Sequence, residues 1–185
     1  MAEELMTDEL AWRFPVVVAE LPEGGREFDL KPDEAARASL ARFAGVLAVP
    51  ALTARLHVRP VGRDGAVVGG TIEGAVRQMC GVTLEPFDNP ISESVSLRFA
   101  PPAAGANKPN DEVDVDLAED DPPDPLVNGA VDLAVVVAEF LALAIDPYPR
   151  KPGAVFSPPA EQGGQESSPF AALEKLKAGK KGEND

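Results

Sequence analysis

Between Leu52 and Phe99 the chain alternates apolar with polar residues over long runs, and this period of two constrains the fold more than any other feature of the sequence. Leu52, Ala54, Leu56 and Val58 alternate with Thr53, Arg55, His57 and Arg59. Ile91, Glu93, Val95, Leu97 and Phe99 alternate with Ser92, Ser94, Ser96 and Arg98. Successive side chains of a strand point to opposite faces, so each run predicts a strand with one buried face. Asp64-Gly65 separates the first run from Ala66-Val67-Val68 and is the dipeptide a tight hairpin favours. Thr71 to Thr83 continues in β-type chemistry, with Gly69-Gly70 and Gly74 predicting a bend or bulge. Pro86 and Pro90 are expected to bracket a turn. These runs together predict an antiparallel meander.

Trp12 to Leu21, with Val16, Val17 and Val18, predicts another strand, and Arg26 to Leu30 a second, joined by Glu23-Gly24-Gly25. Lys31-Pro32-Asp33-Glu34 opens a helix whose apolar stripe is Ala35, Leu40 and Phe43, and Gly45 stops it. Val131 to Ile145 is the most apolar stretch. It is too short to cross a bilayer and predicts a core helix ended by Asp146-Pro147. Residues 152–168 are rich in Pro, Gly, Ser and Gln. Ser168-Pro169 then restarts a helix that Gly179 ends. The expected class is α+β: a curved antiparallel sheet from 10–30 and 51–117, with barrel-like closure feasible, packed by helices near 32–44 and 131–146. The organisation expected is one domain over 1–150, a flexible linker over 151–168, a short helix over 169–179 and a disordered tail over 180–185.

Charge narrows the function classes. The 185 residues hold 17 Lys and Arg against 31 Asp and Glu, a net charge of −14. A chain so acidic is a poor candidate for DNA binding through a broadly basic surface, and it favours basic protein partners. The acid is densest from Asp111 to Asp124, where eight carboxylates occur with no Lys or Arg. One Cys cannot form an internal disulfide, and one Cys with one His cannot build a Cys/His zinc site, so no metal or other cofactor is implied. The first 13 residues lack the cationic start and apolar run of a secretory signal, and no apolar run reaches the length of a membrane span. A cytoplasmic protein is expected.

Three blocks carry a resemblance. Gln78-Met79-Cys80-Gly81-Val82-Thr83-Leu84-Glu85-Pro86-Phe87 is similar to the central signature of the YceD family (domain of unknown function 177), in which a Cys-containing strand runs into Leu-Glu-Pro. The helix block from Val131-Asp132-Leu133 through Glu139 and Leu143 to Pro147 resembles the second block of that family. Pro169-Phe170-Ala171-Ala172-Leu173 resembles its C-terminal segment, and the three stand in the family's order. The resemblance implies a factor for accumulation of the large-subunit (23S) ribosomal RNA, non-enzymatic, with no catalytic residues to carry over. Many members have a Cys-x-x-Cys at the signature. Here Thr83 stands where the second Cys would fall, so a metal site does not transfer.

Individual residues leave alternatives open. Cys80 reads either as a small core residue or as a functional thiol. His57, between Arg55 and Arg59, reads as a surface strand histidine before a general base. Carboxylate pairs drawn from Glu73, Glu85 and Asp88 arise by chance in so acidic a chain. Asp111, Asp114, Asp116, Asp120 and Asp121 form either a solvated face or a landing strip for a basic ribosomal protein. Arg55, Arg59, Arg63 and Arg77 are candidates for RNA phosphate, since Arg55 and Arg59 share a strand face, the alternative being ordinary exposed strand arginines and internal ion pairs. Phe170, Leu173 and Leu176 make a narrow stripe that docks on its own domain or on a partner. Glu139, the one charge within the apolar helix besides Asp132, is expected to be buried and paired with Arg77, the alternative being a solvated seam. The residues leave two functional readings: a factor binding assembling large subunits or a basic ribosomal protein, and an acidic holdase-like module for a basic protein.

Overall fold

In the computed structural model the described residues are 10–101 and 122–156. The chain divides into two compact units, Met1–Gly153 and Ala154–Asp185, and every helix and strand among the described residues belongs to the first. The acidic positions 111–121, the part of the expected sheet that runs to 117 and the C-terminal helix with Pro169, Phe170, Leu173 and Leu176 lie outside the described residues.

The class is α+β, as the periodicities require. In chain order the elements are β1 (Pro15–Val17), a single 3-10 turn (Val18–Glu20), β2 (Arg26–Leu30), α1 (Glu34–Phe43), β3 (Ala48–Val61), β4 (Gly65–Met79), β5 (Pro86–Ala100), β6 (Asp124–Pro125), β7 (Ala130–Asp132) and α2 (Leu133–Leu143). The main sheet has the order β2-β3-β4-β5-β6. It is antiparallel except for β5 with β6, which run parallel over two residue pairs. Among the described residues it is open at both edges and not closed into a barrel. The expected strand over 12–21 shrinks to β1, which leaves the main sheet and pairs with β7 in a two-stranded sheet of its own.

Alternation decides what is buried. Leu52, Ala54, Leu56 and Val58 of β3, Val68, Ile72 and Val76 of β4, and Ile91 and Val95 of β5 face the core. There they meet Leu40 of α1 and Leu133, Val137 and Leu141 of α2. α1 packs on β3, and α2 on β1, β4 and β5. The opposite face of the sheet carries Thr53, Arg55, His57, Arg59, Gly69, Thr71 and the serines of β5, which the register puts in shared rows.

Both helices begin on an aspartate. Asp33 Oδ1 accepts the Ala36 N–H at 2.8 Å, and Asp132 Oδ1 accepts the Ala134 N–H at 3.0 Å, each satisfying a donor left over at a helix start. Asp132 Oδ1 also accepts the Phe14 N–H at 2.9 Å, so the same cap ties the chain before β1 to α2. The expected helix start at 131 is therefore two residues early: Val131 belongs to β7, and Asp132 is the cap. α1 ends as expected at Gly45, whose φ of +66° suits a left-handed stop. Val46 N donates to Ala41 O at 3.0 Å and Gly45 N to Arg42 O at 3.2 Å. Among the described residues, no helix is long and apolar enough to cross a membrane.

Three turn expectations are corrected. The β3–β4 hairpin loop is Gly62-Arg63-Asp64, closed by Val61 opposite Gly65, and the residue with positive φ is Gly62 at +65°. Pro86 and Pro90 lie within β5 and bracket no turn; Pro86 opposes Met79 and Pro90 opposes Ala75. β5 is tolerant of proline because, among the described residues, its second edge is paired only at Phe99 and Ala100. At Gly69-Gly70 and Gly74 the register runs unbroken, and the irregularity lies instead in β3 between Ala48 and Ala51. These glycines permit close approach: a Cβ on Gly70 would collide with the Arg55 carbonyl and one on Gly74 with the Ala51 carbonyl, whereas one on Gly69 would meet nothing nearer than Val95 O at 3.8 Å. Gly70 also has a φ of +153°. Gly70→Ala is therefore expected to destabilise by about 2 kcal/mol or more through backbone collision, and Gly69→Ala by less than about 1 kcal/mol. Urea unfolding of the two variants side by side checks this.

Candidate partner-binding site at the signature turn

The residues Gln78 to Pro86 carry β4 out of the sheet and β5 back into it through a tight turn at 80–85. Cys80 N donates to Glu85 O at 2.9 Å and Leu84 N to Cys80 O at 3.0 Å, closing the turn on itself. Leu84 sits at φ +56°, an unusual conformation for a branched side chain. A strap from Asp146 to Lys151 lies along this turn. Gly81 N donates to Pro149 O at 2.9 Å, and Lys151 Nζ donates to Glu85 Oε2 at 2.9 Å. Beneath them Gln78, only 6% exposed, donates from Nε2 to Asp146 O at 2.8 Å and accepts at Oε1 from Asn89 Nδ2 at 3.2 Å. Gln78, Cys80 and Glu85 thus share one task, fastening the strap to the turn.

Cys80 is fully buried, as its residue type suggested, but it follows the end of β4 and lies outside the main apolar cluster. Its Sγ accepts N–H groups from Lys151 at 3.3 Å and from Val82 and Thr83 at 3.4 Å each. A hydrogen bond from the Thr83 side chain, followed by the backbone donors of Lys151, Thr83 and Val82, brings the thiol down from 9.0 to about 6 against the opposing effect of burial. Donors aimed at sulfur favour the thiolate. No local pattern around Cys80 signals the Lys151 contribution, because it comes from 71 positions away.

The expected Arg77–Glu139 pair is not formed. Arg77 reaches its cross-strand neighbour Asp88 instead, with Nε to Oδ1 at 2.6 Å and Nη2 to Oδ2 at 2.9 Å. This fork lowers the Asp88 carboxyl below its ordinary range and raises the Arg77 guanidinium, the hydrogen bond being the larger cause in each case. Glu139 is exposed on α2, so the seam alternative holds. The carboxylates considered as acid/base pairs are also separated in role: Asp88 serves Arg77, Glu85 serves Lys151, and Glu73 is exposed opposite Ser92. His57 is half-buried, with Nε2 at 3.1 Å from Gly24 O, and Arg55 and Arg59 are exposed beside it on the outer face.

The turn and the strap expose large apolar side chains among charged ones. Leu84 is 74% exposed and Tyr148 on the strap 82%, and Pro147 is exposed as well; Leu143 at the end of α2 is 77% exposed. The backbone under both is fixed, Leu84 N donating to Cys80 O and Tyr148 N to Asp146 Oδ1 at 2.8 Å, and exposed apolar groups on a fixed backbone are the form of a candidate contact surface.

Residues 68–177 match the sequence model of the family described as large ribosomal RNA subunit accumulation protein YceD. The match spans more than half of the chain, and the chain belongs to that family, whose role is in accumulation of the large ribosomal RNA subunit. No curated protein matches. No solved structure matches either.

The thiol gives a pH prediction. Because it ionises near 6 in the fold against 9.0 ordinarily, the folded chain holds fewer protons between those values. The stabilisation from Cys80 is therefore full above pH 9 and lost as the pH falls through 6. Urea midpoints of the parent should rise from pH 6 to 9 relative to Cys80→Ser, which keeps an acceptor and removes the titration; parallel curves would show that the thiol is not ionised in the fold. Glu139→Ala, at an exposed position, should change stability by less than about 1 kcal/mol in a thermal melt.

Proposed function

We propose that this chain is a non-enzymatic, cytoplasmic ribosome-biogenesis factor that promotes accumulation of large-subunit ribosomal RNA by binding assembling large subunits or a basic ribosomal protein. The observation that carries the reading is the use of the family signature. Gln78, Cys80 and Glu85 hold a turn and a strap together, and the product of that arrangement is an exposed Leu84 beside the strap bearing Tyr148. A contact of this kind works by inserting an apolar knob into a pocket of the partner, with the Lys151–Glu85 and Arg77–Asp88 pairs as a polar rim.

The alternative, an acidic holdase-like module not tied to ribosomal RNA, draws support from the carboxylates Asp111, Asp114, Asp116, Asp120 and Asp121. It predicts capture of basic proteins in general, with strong salt dependence and no dependence on Leu84.

The test is capture of partners by the immobilised full chain, read by mass spectrometry and by RNA quantification. The parent should enrich large-subunit components over small-subunit ones. Leu84→Asp should reduce that enrichment at least about tenfold, the scale of one central contact residue. Equal recovery of both subunits, or recovery unchanged by Leu84→Asp but abolished by neutralising the five aspartates, favours the holdase and overturns the first reading.

A further inference from the structure

The antiparallel register brings together arginines that the sequence keeps apart. Arg59 of β3 opposes Val67 of β4, and Val67 opposes Arg98 of β5, so two arginines flank one valine on the outer face. Two strand spacings put their backbones about 10 Å apart. Arg63 lies in the hairpin loop just beyond this row, and Arg55 lies two rows back along β3, about 13 Å from Arg59 by strand rise. The row between them holds His57, Gly69 and Ser96, and Arg55's own row continues through Thr71 and Ser94, so small residues with hydroxyls and accessible backbone lie beside the arginines and His57. At the loop end a shallow cavity of about 400 Å³ is lined by Arg63, Val67, Arg98 and Pro101.

The anionic groups at this end are Asp64 in the loop, Asp124 of β6, which pairs with Phe99 next to Arg98, and Glu27 and Asp29 on β2; Arg98 and Asp124 each already have an interaction of their own. Asp29 stands 3.7 Å from Arg55, but both side chains are more than 70% exposed, so water competes with the pair. Neither Arg59 nor Arg63 is in an ion pair among the described residues. The described residues are less acidic than the chain as a whole. The described residues hold 12 of the 17 cationic side chains and 15 of the 31 acids, a net of 12 − 15 = −3 against −14 overall.

We infer that the hairpin end of the outer sheet face, at Arg59, Arg63 and Arg98 with Arg55 behind them, binds the phosphate backbone of RNA. The inference deepens the role in large-subunit RNA accumulation proposed above, and rests on it, by naming RNA as a direct partner. Guanidinium forks match phosphate oxygens, and serine and threonine hydroxyls add hydrogen bonds along the same line. The bare backbone at Gly69 lets a polymer lie close. The outer face among the described residues offers no Phe, Tyr or Trp on which a base could stack, so the contact is to backbone and tolerates sequence. A basic protein, the competing partner, would be repelled by this end.

The experiment uses the full chain and a fluorescent 20-nucleotide poly(U) strand, read by anisotropy. With about three phosphates engaged, the logarithmic salt slope for a single strand is about −2, so affinity should fall roughly 15-fold between 50 and 200 mM KCl. Arg59→Glu/Arg63→Glu should weaken binding at least about tenfold, while the charge-matched Arg37→Glu/Arg42→Glu on α1 should change it by less than about threefold. Circular dichroism melts establish that both variants fold. No binding by the parent at 50 mM KCl, or equal losses in the two variants, overturns the inference. The same variants in the capture experiment separate the two readings. Large-subunit recovery that survives both ribonuclease and Arg59→Glu/Arg63→Glu identifies a protein partner, removing the RNA contact but leaving the proposed function. Poly(U) binding without large-subunit capture does the reverse.

Discussion

Because β4 is hydrogen-bonded to β3 on one edge and to β5 on the other, its register dictates which residues of all three strands share a face. A slip of one residue would turn Val68, Ile72 and Val76 to solvent and bring Glu73 and Arg77 into the core. Core burial therefore enforces the register, and the register in turn places Arg77 opposite Asp88 and puts Arg59 and Arg98 in one row. Gly70 and Gly74 are part of the same constraint. Their missing side chains let β4 pass close to the β3 backbone, at Arg55–Leu56 and at Ala51–Leu52 respectively.

The end of β4 is where this order is handed on. Met79 is its last residue, and the turn after it must satisfy its own donors and acceptors without a ladder to pair with. It does so with Cys80 at the centre: the backbone bonds to Glu85 and from Leu84, and the sulfur accepts three N–H groups. One of those donors belongs to Lys151, so the strap after α2 is fixed to the turn by the same atom. The turn at 80–85 and the strap Asp146 to Lys151 are thus the two halves of a single fastening.

What was legible in the sequence was whatever a local period or cap reports. The strands β2 to β5, the outward serines of β5 and both helices follow from alternation, from Asp33 and Gly45, and from the apolar run after Val131. Misplaced features were those set by distant partners. Pro86 and Pro90 look like turn residues until β5 is known to have a free edge, and Val131 looks helical until β1 pairs with it. Asp132 directly before an apolar run is itself a helix-start signal, and reading it as a cap would have found the boundary. The Arg77–Glu139 pairing failed for a different reason. Arg77 and Asp88 become cross-strand neighbours only once 80–85, not 86–90, is recognised as the turn. Burial of Glu139 was expected because its helix is apolar on most sides, but the residue occupies an exposed position on α2.

Chain-wide charge says least about any one surface. A net of −14 describes the whole molecule, yet electrostatic attraction is screened within about 8–10 Å in physiological salt. A polymer approaching the outer sheet face responds to the nearest few side chains, and among the described residues at the loop end these are Arg59, Arg63 and Arg98 with Asp64 and Asp124. The acids that set the overall sign are mostly outside residues 10–101 and 122–156. An acidic protein can therefore present a cationic contact surface, provided that the fold gathers arginines from separate strands and leaves the acids elsewhere along the chain. In this protein the gathering is a consequence of the β3–β4–β5 register, the same pairing that buries the core.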